Sequence, residues 1–186
     1  MGVTKMKEND HLVIRDLEIN DTAHLVKWLS DPRVLEYYEG RDNPFDKEKV
    51  KEAFYGPRGD EVRCIIEYDG KAIGYVQYYP IEEEEREKYG YPVEIVYGMD
   101  QFIGEVEYWN KGIGTSVVSK VVKYLLDVMG AEKVVMDPQV RNERALRCYE
   151  KCGFKKVKLL PRIEWHEGVY EDCWLIEASK NESVEV

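Results

Sequence analysis

The amino-acid sequence predicts an α/β fold, in which a mixed central sheet is flanked by helices on both faces. The segment RCIIEYDGKAIGYVQYYP indicates two strands joined at Asp69-Gly70, a dipeptide that favours a tight hairpin. Further along, strand and helix patterns alternate twice between residues 94 and 153. The chain has 186 residues and no Ser/Gly-rich linker, so we expect a single domain over residues 1–186.

The first elements follow from apolar alternation, capping residues and charge. We predict a half-buried strand at LVIRDL (12–17), a helix capped by Asn20 or Asp21 that runs through Leu29, a second helix at 46–55, and a solvated loop or insertion at the acidic run EEEE (82–85). Pro32 follows the end of the first helix.

The second half of the chain carries a longer helix between strands. We predict a strand in EIVYGMDQFI (94–103), a helix from about Gly112 to Gly130, a buried strand at 133–137, a helix capped by Asn142 and ended by Gly153, and strands near 155–163 and 172–178. Apolar residues recur every fourth position from Ile113 to Leu125, and this stripe is expected to pack on a sheet.

Charge restricts the partners of the chain. The formal net charge of −10 makes nucleic acid a poor partner, because such binding relies on Lys and Arg that neutralise phosphates. A cationic small molecule fits this charge better, and acidity that only aids solubility is the alternative. No signal peptide or membrane-spanning apolar run is visible, so we expect a cytoplasmic protein without a membrane partner. The oligomeric state stays open.

Cysteine and histidine patterns do not indicate a metal site. The four cysteines are Cys64, Cys148, Cys152 and Cys173, and without a CxxC pair or a secretion signal they are expected to be free thiols. Cys148 and Cys152 would share a helix face, either as metal ligands or, as we favour, as small buried residues. His166-Glu167 lacks the second histidine of an HExxH motif, so no metal is expected.

One stretch, YGMDQFIGEVEYWNKGIGT (97–115), combines a strand that carries Asp100 with a turn that carries Gly112 and Gly114. Glycines let a backbone approach an anion closely, and the N-terminus of the following helix offers N–H groups and the positive end of its dipole. The turn matches neither GxxxxGK[ST] nor a dinucleotide fingerprint. Taken alone, it indicates either a phosphate cradle or an ordinary tight turn.

The turn resembles the pyrophosphate loop of the GNAT acetyltransferases, usually Q/R-x-x-G-x-G/A. Its six residues are Trp109, Asn110, Lys111, Gly112, Ile113 and Gly114, with Trp109 departing from the pattern. Six blocks, one of which contains this turn, are similar, in the same order, to the aminoglycoside 6'-N-acetyltransferases, above all to the acetyltransferase half of the bifunctional acetyltransferase–phosphotransferase resistance enzyme. These blocks are VLEYYEGRD (34–42), IGYVQYY (73–79), VYGMDQFIGE (96–105), YWNKGIGT (108–115), DPQVRNERALRCYEKCGF (137–154) and HEGVYEDC (166–173).

The resemblance implies a GNAT fold with a mixed, mostly antiparallel central sheet, acetyl-CoA as cosubstrate and transfer of its acetyl group to the 6'-amine of aminoglycosides, which inactivates these antibiotics. Acetyl-CoA would be bound by Trp109, Lys111, Gly112, Ile113, Gly114, Thr115 and Asn142; Asn142 is also a helix cap. Asp100 would be the general base that accepts the proton of the amine, and the alternative is a structural acid paired with Lys or Arg. Tyr149 would protonate the leaving thiolate, and the alternative is a core aromatic residue.

The resemblance also implies where the cationic substrate binds. Carboxylates and polar aromatic residues in the matching blocks would contact it: Tyr38, Gln77, Tyr97, Asp137 and Glu167. Two other functions remain open, namely a GNAT acetyltransferase for another small amine such as a polyamine, and a non-catalytic acetyl-CoA-binding module.

Overall fold

The computed structural model describes residues 5–7, 11–57, 59–91 and 94–180. Its strands are β1 (Lys5–Lys7), β2 (Leu12–Asp16), β3 (Val62–Tyr68), β4 (Lys71–Pro80), β5 (Val96–Ile103), β6 (Lys133–Met136), β7 (Lys155–His166) and β8 (Val169–Ser179). Its helices are α1 (Thr22–Trp28), α2 (Pro32–Leu35), α3 (Lys47–Tyr55), α4 (Glu83–Tyr89), α5 (Ile113–Asp127) and α6 (Glu143–Lys151).

The strands of the described residues follow the order β1-β2-β3-β4-β5-β6-β8-β7. The pairs β1–β2, β2–β3, β6–β8 and β7–β8 are antiparallel, whereas β5 and β6 are parallel. The predicted α/β fold with a mixed, mostly antiparallel sheet and flanking helices is therefore confirmed.

Two compact units divide the chain, and each is built from two separate segments. The first unit comprises Met1–Gln77 and Gln101–Gly114, and the second comprises Tyr78–Asp100 and Thr115–Val186. The core of the first unit is rich in aromatic residues, among them Trp28, Phe54 and Phe102. In the second unit, the apolar stripe of α5 is buried, as its periodicity predicts.

Local signals in the sequence explain where several elements begin and end. Asp69 and Gly70 have positive φ angles of 50° and 77°, so the tight hairpin between β3 and β4 is confirmed. Helix α6 begins after Asn142, whose side chain accepts a hydrogen bond of 3.3 Å from the backbone N–H of Ala145. The chain leaves this helix at Gly153, where φ is 90°.

The acidic run differs from its prediction, because most of it is helical rather than a loop. Glu83–Tyr89 forms α4, which ends at Gly90 in the left-handed conformation. Glutamate is a good helix former, and Lys88 donates a hydrogen bond of 2.9 Å to Glu84, one turn away. Within the described ranges, no helix combines the length and apolar character that a membrane span requires.

Candidate active site

Asp100 lies in β5, two residues beyond the point where the register of that strand with β6 ends. Within the described residues, β5 pairs with β6 at Val96, Tyr97 and Gly98. Tyr79, at the end of β4, donates a hydrogen bond of 3.0 Å from its hydroxyl to Oδ2 of Asp100. Burial raises the pKa of Tyr79, and the negative charge of Asp100 adds to the effect. The phenol therefore stays protonated and acts as a hydrogen-bond donor to the carboxylate.

Gly98 makes the contact between Tyr79 and Asp100 possible. A Cβ atom at this position would lie 2.6 Å from Cε2 of Tyr79 and 2.8 Å from Cδ1 of Ile81, closer than real side chains approach. The absence of a side chain on Gly98 lets the ring of Tyr79 lie against β5. The glycine thus positions the hydroxyl that orients Asp100.

Asp137, directly after β6, is the second acid of this region. Its pKa is raised to about 6. Loss of water around the carboxyl is the largest cause, and negative charge on Asp100, Glu164 and Glu85 adds to it. The residue is nevertheless exposed by surface area. Both observations hold if protein atoms enclose the carboxyl on one side and solvent reaches it on the other.

Sequence reasoning missed two carboxylates that act on Asp137. Glu85 lies on α4 and accepts a hydrogen bond of 2.9 Å from the hydroxyl of Tyr89. Glu164 lies on β7, where Nε2 of the buried Gln139 donates to it at 2.9 Å and the thiol of Cys173 contacts it at 3.4 Å. Glu85 belongs to the EEEE run, so its acidity was visible, whereas the position of Glu164 depends on a register shift between Leu160 and Glu164 in β7.

The turn before α5 has the backbone that a phosphate cradle requires. Asn110 and Gly112 have positive φ angles of 57° and 77°, and α5 begins at Ile113. A Cβ atom on Gly112 or on Gly114 would meet nothing within 4 Å. At Gly114, where φ is not positive, the protein itself does not require glycine, so the open space fits the close approach of a ligand.

The flanking residues of this turn pack within the first unit. The indole N–H of Trp109 donates a hydrogen bond of 2.8 Å to the carbonyl of Ile103, and its ring packs on the aromatic core. Lys111 is exposed, and its Nζ lies 5.6 Å from the ring centroid of Tyr108. The Trp109 indole thus ties the turn to the end of β5, which gives a structural reason for tryptophan at this position.

Thr115 and Asn142 flank a contact between two helices of the second unit. Thr115 lies in the first turn of α5, with its hydroxyl 3.4 Å from the sulfur of Cys148 on α6. The side chain of Asn142 caps α6. Tyr149 is half-buried on the same helix, with its ring centroid 6.1 Å from that of Phe154.

The other substrate residues predicted from the sequence occupy separate places. Tyr38 packs on the first unit's core, 4.5 Å from the ring of Phe102, and Gln77 accepts a hydrogen bond of 2.7 Å from the hydroxyl of Tyr75. Tyr97 is half-buried in β5. Glu167 lies in the turn between β7 and β8 with a positive φ of 49°. Of the predicted residues, Asp100 and Asp137 are brought within electrostatic reach of one another.

Comparison with known proteins decides the family. A family model described as an acetyltransferase (GNAT) domain matches residues 18–161, well over half of the chain. The chain belongs to the GNAT acetyltransferases. The GNAT fold predicted from the turn and the similar blocks is confirmed, and the protein is an acetyltransferase of this family.

Relatives of this GNAT acetyltransferase include enzymes named for two kinds of amine. Aminoglycoside N(6')-acetyltransferase type 1 of Klebsiella pneumoniae is 30% identical over 171 residues, which cover 84% of this chain and 82% of the relative. The structure of AAC(6')-Ib with ribostamycin and coenzyme A has a TM-score of 0.75 at 24% identity and covers 95% of this chain and 98% of that chain. Spermidine N-acetyltransferase of Vibrio cholerae, in complex with CoA and spermine, has a TM-score of 0.77 at 18% identity and covers 95% of this chain and 100% of that chain. The two structures share the fold with this protein.

Proposed function

We propose that this acetyltransferase transfers the acetyl group of acetyl-CoA to the 6'-amine of aminoglycoside antibiotics. The observation that carries the proposal is the set of carboxylates around Asp137: burial is the largest cause that raises its pKa, and the negative charges of Asp100, Glu164 and Glu85 add to it. An aminoglycoside carries several ammonium groups, and a concentration of carboxylates attracts such a polycation. The similarity to aminoglycoside N(6')-acetyltransferase type 1 supports the choice of substrate.

Acetyl-CoA would bind through its pyrophosphate at the turn before α5. The positive φ of Gly112 and the open space at Gly114 allow the backbone to approach phosphate oxygens. The first turn of the 15-residue α5 presents N–H groups and the positive end of its dipole. These features bind an anion by backbone atoms, so the departure at Trp109 from the family pattern does not remove them.

Asp100 would accept the proton that the substrate amine must lose. An alkylammonium has no lone pair with which to attack a carbonyl, and a carboxylate that binds it can take its proton directly or through water. The hydroxyl of Tyr79, 3.0 Å from Oδ2, fixes the orientation of the carboxylate that receives the proton. The amine nitrogen then bonds to the thioester carbon, the C–S bond breaks, and Tyr149 protonates the thiolate of CoA as it leaves. The second proton that the amine nitrogen loses restores Tyr149.

The other ammonium groups of the substrate would be bound by Asp137, Glu85 and Glu164. Each bound ammonium lowers the cost of gathering these charges, and it shifts Asp137 towards its ionised form. Substrate binding therefore releases a proton near pH 6, the pKa of Asp137 in the free protein.

A polyamine is the second candidate substrate. The shared fold with a spermidine N-acetyltransferase favours it, and the same carboxylates would bind its ammonium groups. The two candidates differ in the hydroxyl groups of the substrate, since an aminoglycoside carries many hydroxyls that can form hydrogen bonds and a polyamine carries none.

Release of CoA from acetyl-CoA, measured across kanamycin, ribostamycin, spermidine and spermine, tests the proposal. We expect the highest kcat/KM for aminoglycosides with a 6'-amine, a loss of activity on analogues with a 6'-hydroxyl, and an acetyl group on the 6'-nitrogen by NMR. A preference for spermidine would select the second candidate. Turnover on neither class would refute both.

Replacement of Gly114 by leucine tests the acetyl-CoA site separately. Leucine is a good helix former, and nothing lies within 4 Å of the added Cβ, so the melting temperature of the free protein should hold. The increase in melting temperature on adding acetyl-CoA should shrink, because the bulky side chain blocks backbone approach. The exposed neighbour Ser116→Leu is the matched control and should keep the full increase. A normal increase in Gly114→Leu would place the pyrophosphate elsewhere.

A further inference from the structure

Two thiols lie against the first turns of α5, outside the carboxylate site. Cys148 is on α6 and Cys152 caps its C-terminus, so the two lie one helical turn apart. The sulfur of Cys148 lies 3.4 Å from the hydroxyl of Thr115. The thiol of Cys152 contacts the carbonyl of Thr115 at 3.5 Å and accepts a hydrogen bond of 3.3 Å from Ser119. Both cysteines are half-buried and therefore within reach of small molecules.

The surroundings of Cys148 favour its thiolate. The neighbouring Cys152 side chain is the largest cause that lowers the pKa of Cys148; burial opposes this effect, while Thr115 and the charge of Lys151 add to it. The contact with Thr115 also places the sulfur at the positive end of α5. Cys64 and Cys173, by contrast, are buried, and burial raises the pKa of both thiols. The chain thus holds one pair of accessible thiols and two inert ones.

We propose that Cys148 is a modification site at which low-molecular-weight disulfides form a mixed disulfide with the protein. The thiolate of Cys148 attacks one sulfur of the disulfide, a new S–S bond forms, the original S–S bond breaks, and the other half leaves as a thiolate. The reaction is a thiol–disulfide exchange, so the disulfide itself is the oxidant. The hydroxyl of Thr115, 3.4 Å from the sulfur of Cys148, can donate a hydrogen bond to the attacking thiolate.

The modification has a consequence for acetyl-CoA, and this part rests on the proposed function. The adduct adds atoms between α6 and Thr115, in the first turn of α5, next to Gly114. Bound pyrophosphate would add negative charge beside Cys148, which disfavours its thiolate, and would restrict access to it. Acetyl-CoA and the adduct should therefore each weaken the other, since coupling between two ligands is reciprocal.

The test treats the whole protein with glutathione disulfide and, for kinetics, with 5,5'-dithiobis(2-nitrobenzoate), with and without acetyl-CoA. We expect one fast equivalent, located on Cys148 by peptide mapping, while Cys64 and Cys173 react only after denaturation. Cys148→Ser should lose the fast equivalent. Cys152→Ala should keep it, because the hydroxyl of Thr115 still contacts the sulfur of Cys148.

Different outcomes separate the two proposals. A fast equivalent on Cys152, or no fast equivalent at all, overturns the assignment of Cys148. Peptide mapping of the wild type decides this point even where a variant fails to fold. An adduct on Cys148 that forms equally fast with acetyl-CoA, in a protein whose melting temperature acetyl-CoA does raise, refutes the coupling alone. If acetyl-CoA does not raise the melting temperature, the acetyl-CoA site fails while the thiol site stands.

Discussion

Buried or partly enclosed carboxylates of the two units have opposite surroundings. In the first unit, burial alone would raise the pKa of Glu105, but hydrogen bonds from Lys27 at 2.7 Å and from the indole of Trp28 at 3.0 Å outweigh it, and the pKa is lowered. In the second unit, the charges that act on Asp137 are other carboxylates, and its pKa is raised. The first acid is stabilised by its partners, whereas the second is held where a cationic ligand would stabilise it.

A second acid of the first unit, Asp21, is stabilised by its partner in the same way as Glu105. Arg15 contacts Asp21 through two hydrogen bonds of 2.8 and 2.9 Å, and the pKa of Asp21 is lowered against the effect of burial. Acids whose negative charge is balanced by Lys or Arg in this way stabilise the fold. Carboxylates gathered against their mutual repulsion cost stability and are therefore a feature typical of binding and catalytic sites.

The largest expected effect is on turnover. Asp100→Asn keeps the shape of the side chain and its contact with Tyr79, but removes the proposed base, so kcat should fall by about 10²–10⁴. Steady-state kinetics with kanamycin measure the loss, and the acetyl-CoA-dependent rise in melting temperature should persist. The matched control is the exposed Asp42→Asn in the first unit, which should keep wild-type kcat. Near-normal turnover by Asp100→Asn would make Asp100 a structural acid.

Gly98→Ala should separate the position of Asp100 from its charge. The added methyl group displaces the ring of Tyr79, so kcat should fall on the order of tenfold, and overpacking should cost about 1–3 kcal/mol of stability. Gly56→Ala is a control in the first unit, because its Cβ would lie 2.8 Å from the carbonyl oxygen of Glu52. It should lose stability at unchanged kcat. Equal kcat values for the two variants would show that Tyr79 does not position Asp100.

Glu105→Gln should show the reverse pattern, with a loss of stability and no loss of turnover. The amide cannot neutralise Lys27, so the free energy of unfolding should fall by about 1–3 kcal/mol in urea titrations. Glu107→Gln, which removes an exposed ion pair with Lys71, should cost less than about 0.5 kcal/mol. A large drop in kcat for Glu105→Gln at full folding would contradict the division between the two kinds of acid.

The smallest expected effect concerns pH. The pKa of Asp137 is raised from 3.8 to about 6, so the folded state holds its proton more tightly, and the unfavourable ionisation develops as pH rises through this window. Asp137→Asn should therefore stabilise the free protein by about 1 kcal/mol above pH 7, after allowance for solvent screening, and not at all below pH 4.

Substrate binding should depend on the same ionisation, but here the ionised form of Asp137 should be the favourable one. The KM for kanamycin should fall as pH rises through about 6, because only the ionised Asp137 binds an ammonium group. Glu164→Gln should move this midpoint to lower pH. A midpoint that Glu164→Gln leaves unchanged would show that Glu164 does not act on Asp137.

Sequence patterns predicted the elements whose signals are local. The Asp69-Gly70 hairpin and the Asn142 cap each depend on residues within four positions, and the structure confirms both. Helix α4 was missed because its stability comes from exposed pairs such as Glu84–Lys88 rather than from an apolar stripe. The acids around Asp137 come from distant parts of the chain, so the sequence could show their charge but not their proximity.

The two-segment construction of each unit has a consequence for biosynthesis. The first unit needs Gln101–Gly114, which contributes Phe102 to its core, so residues 1–77 leave the ribosome before their packing partner has been made. The second unit needs Tyr78–Asp100 from the middle of the chain and Thr115–Val186 from its end. Asp100 and Asp137 can therefore approach one another only after translation has passed the middle of the gene, and contacts that span such separations close slowly.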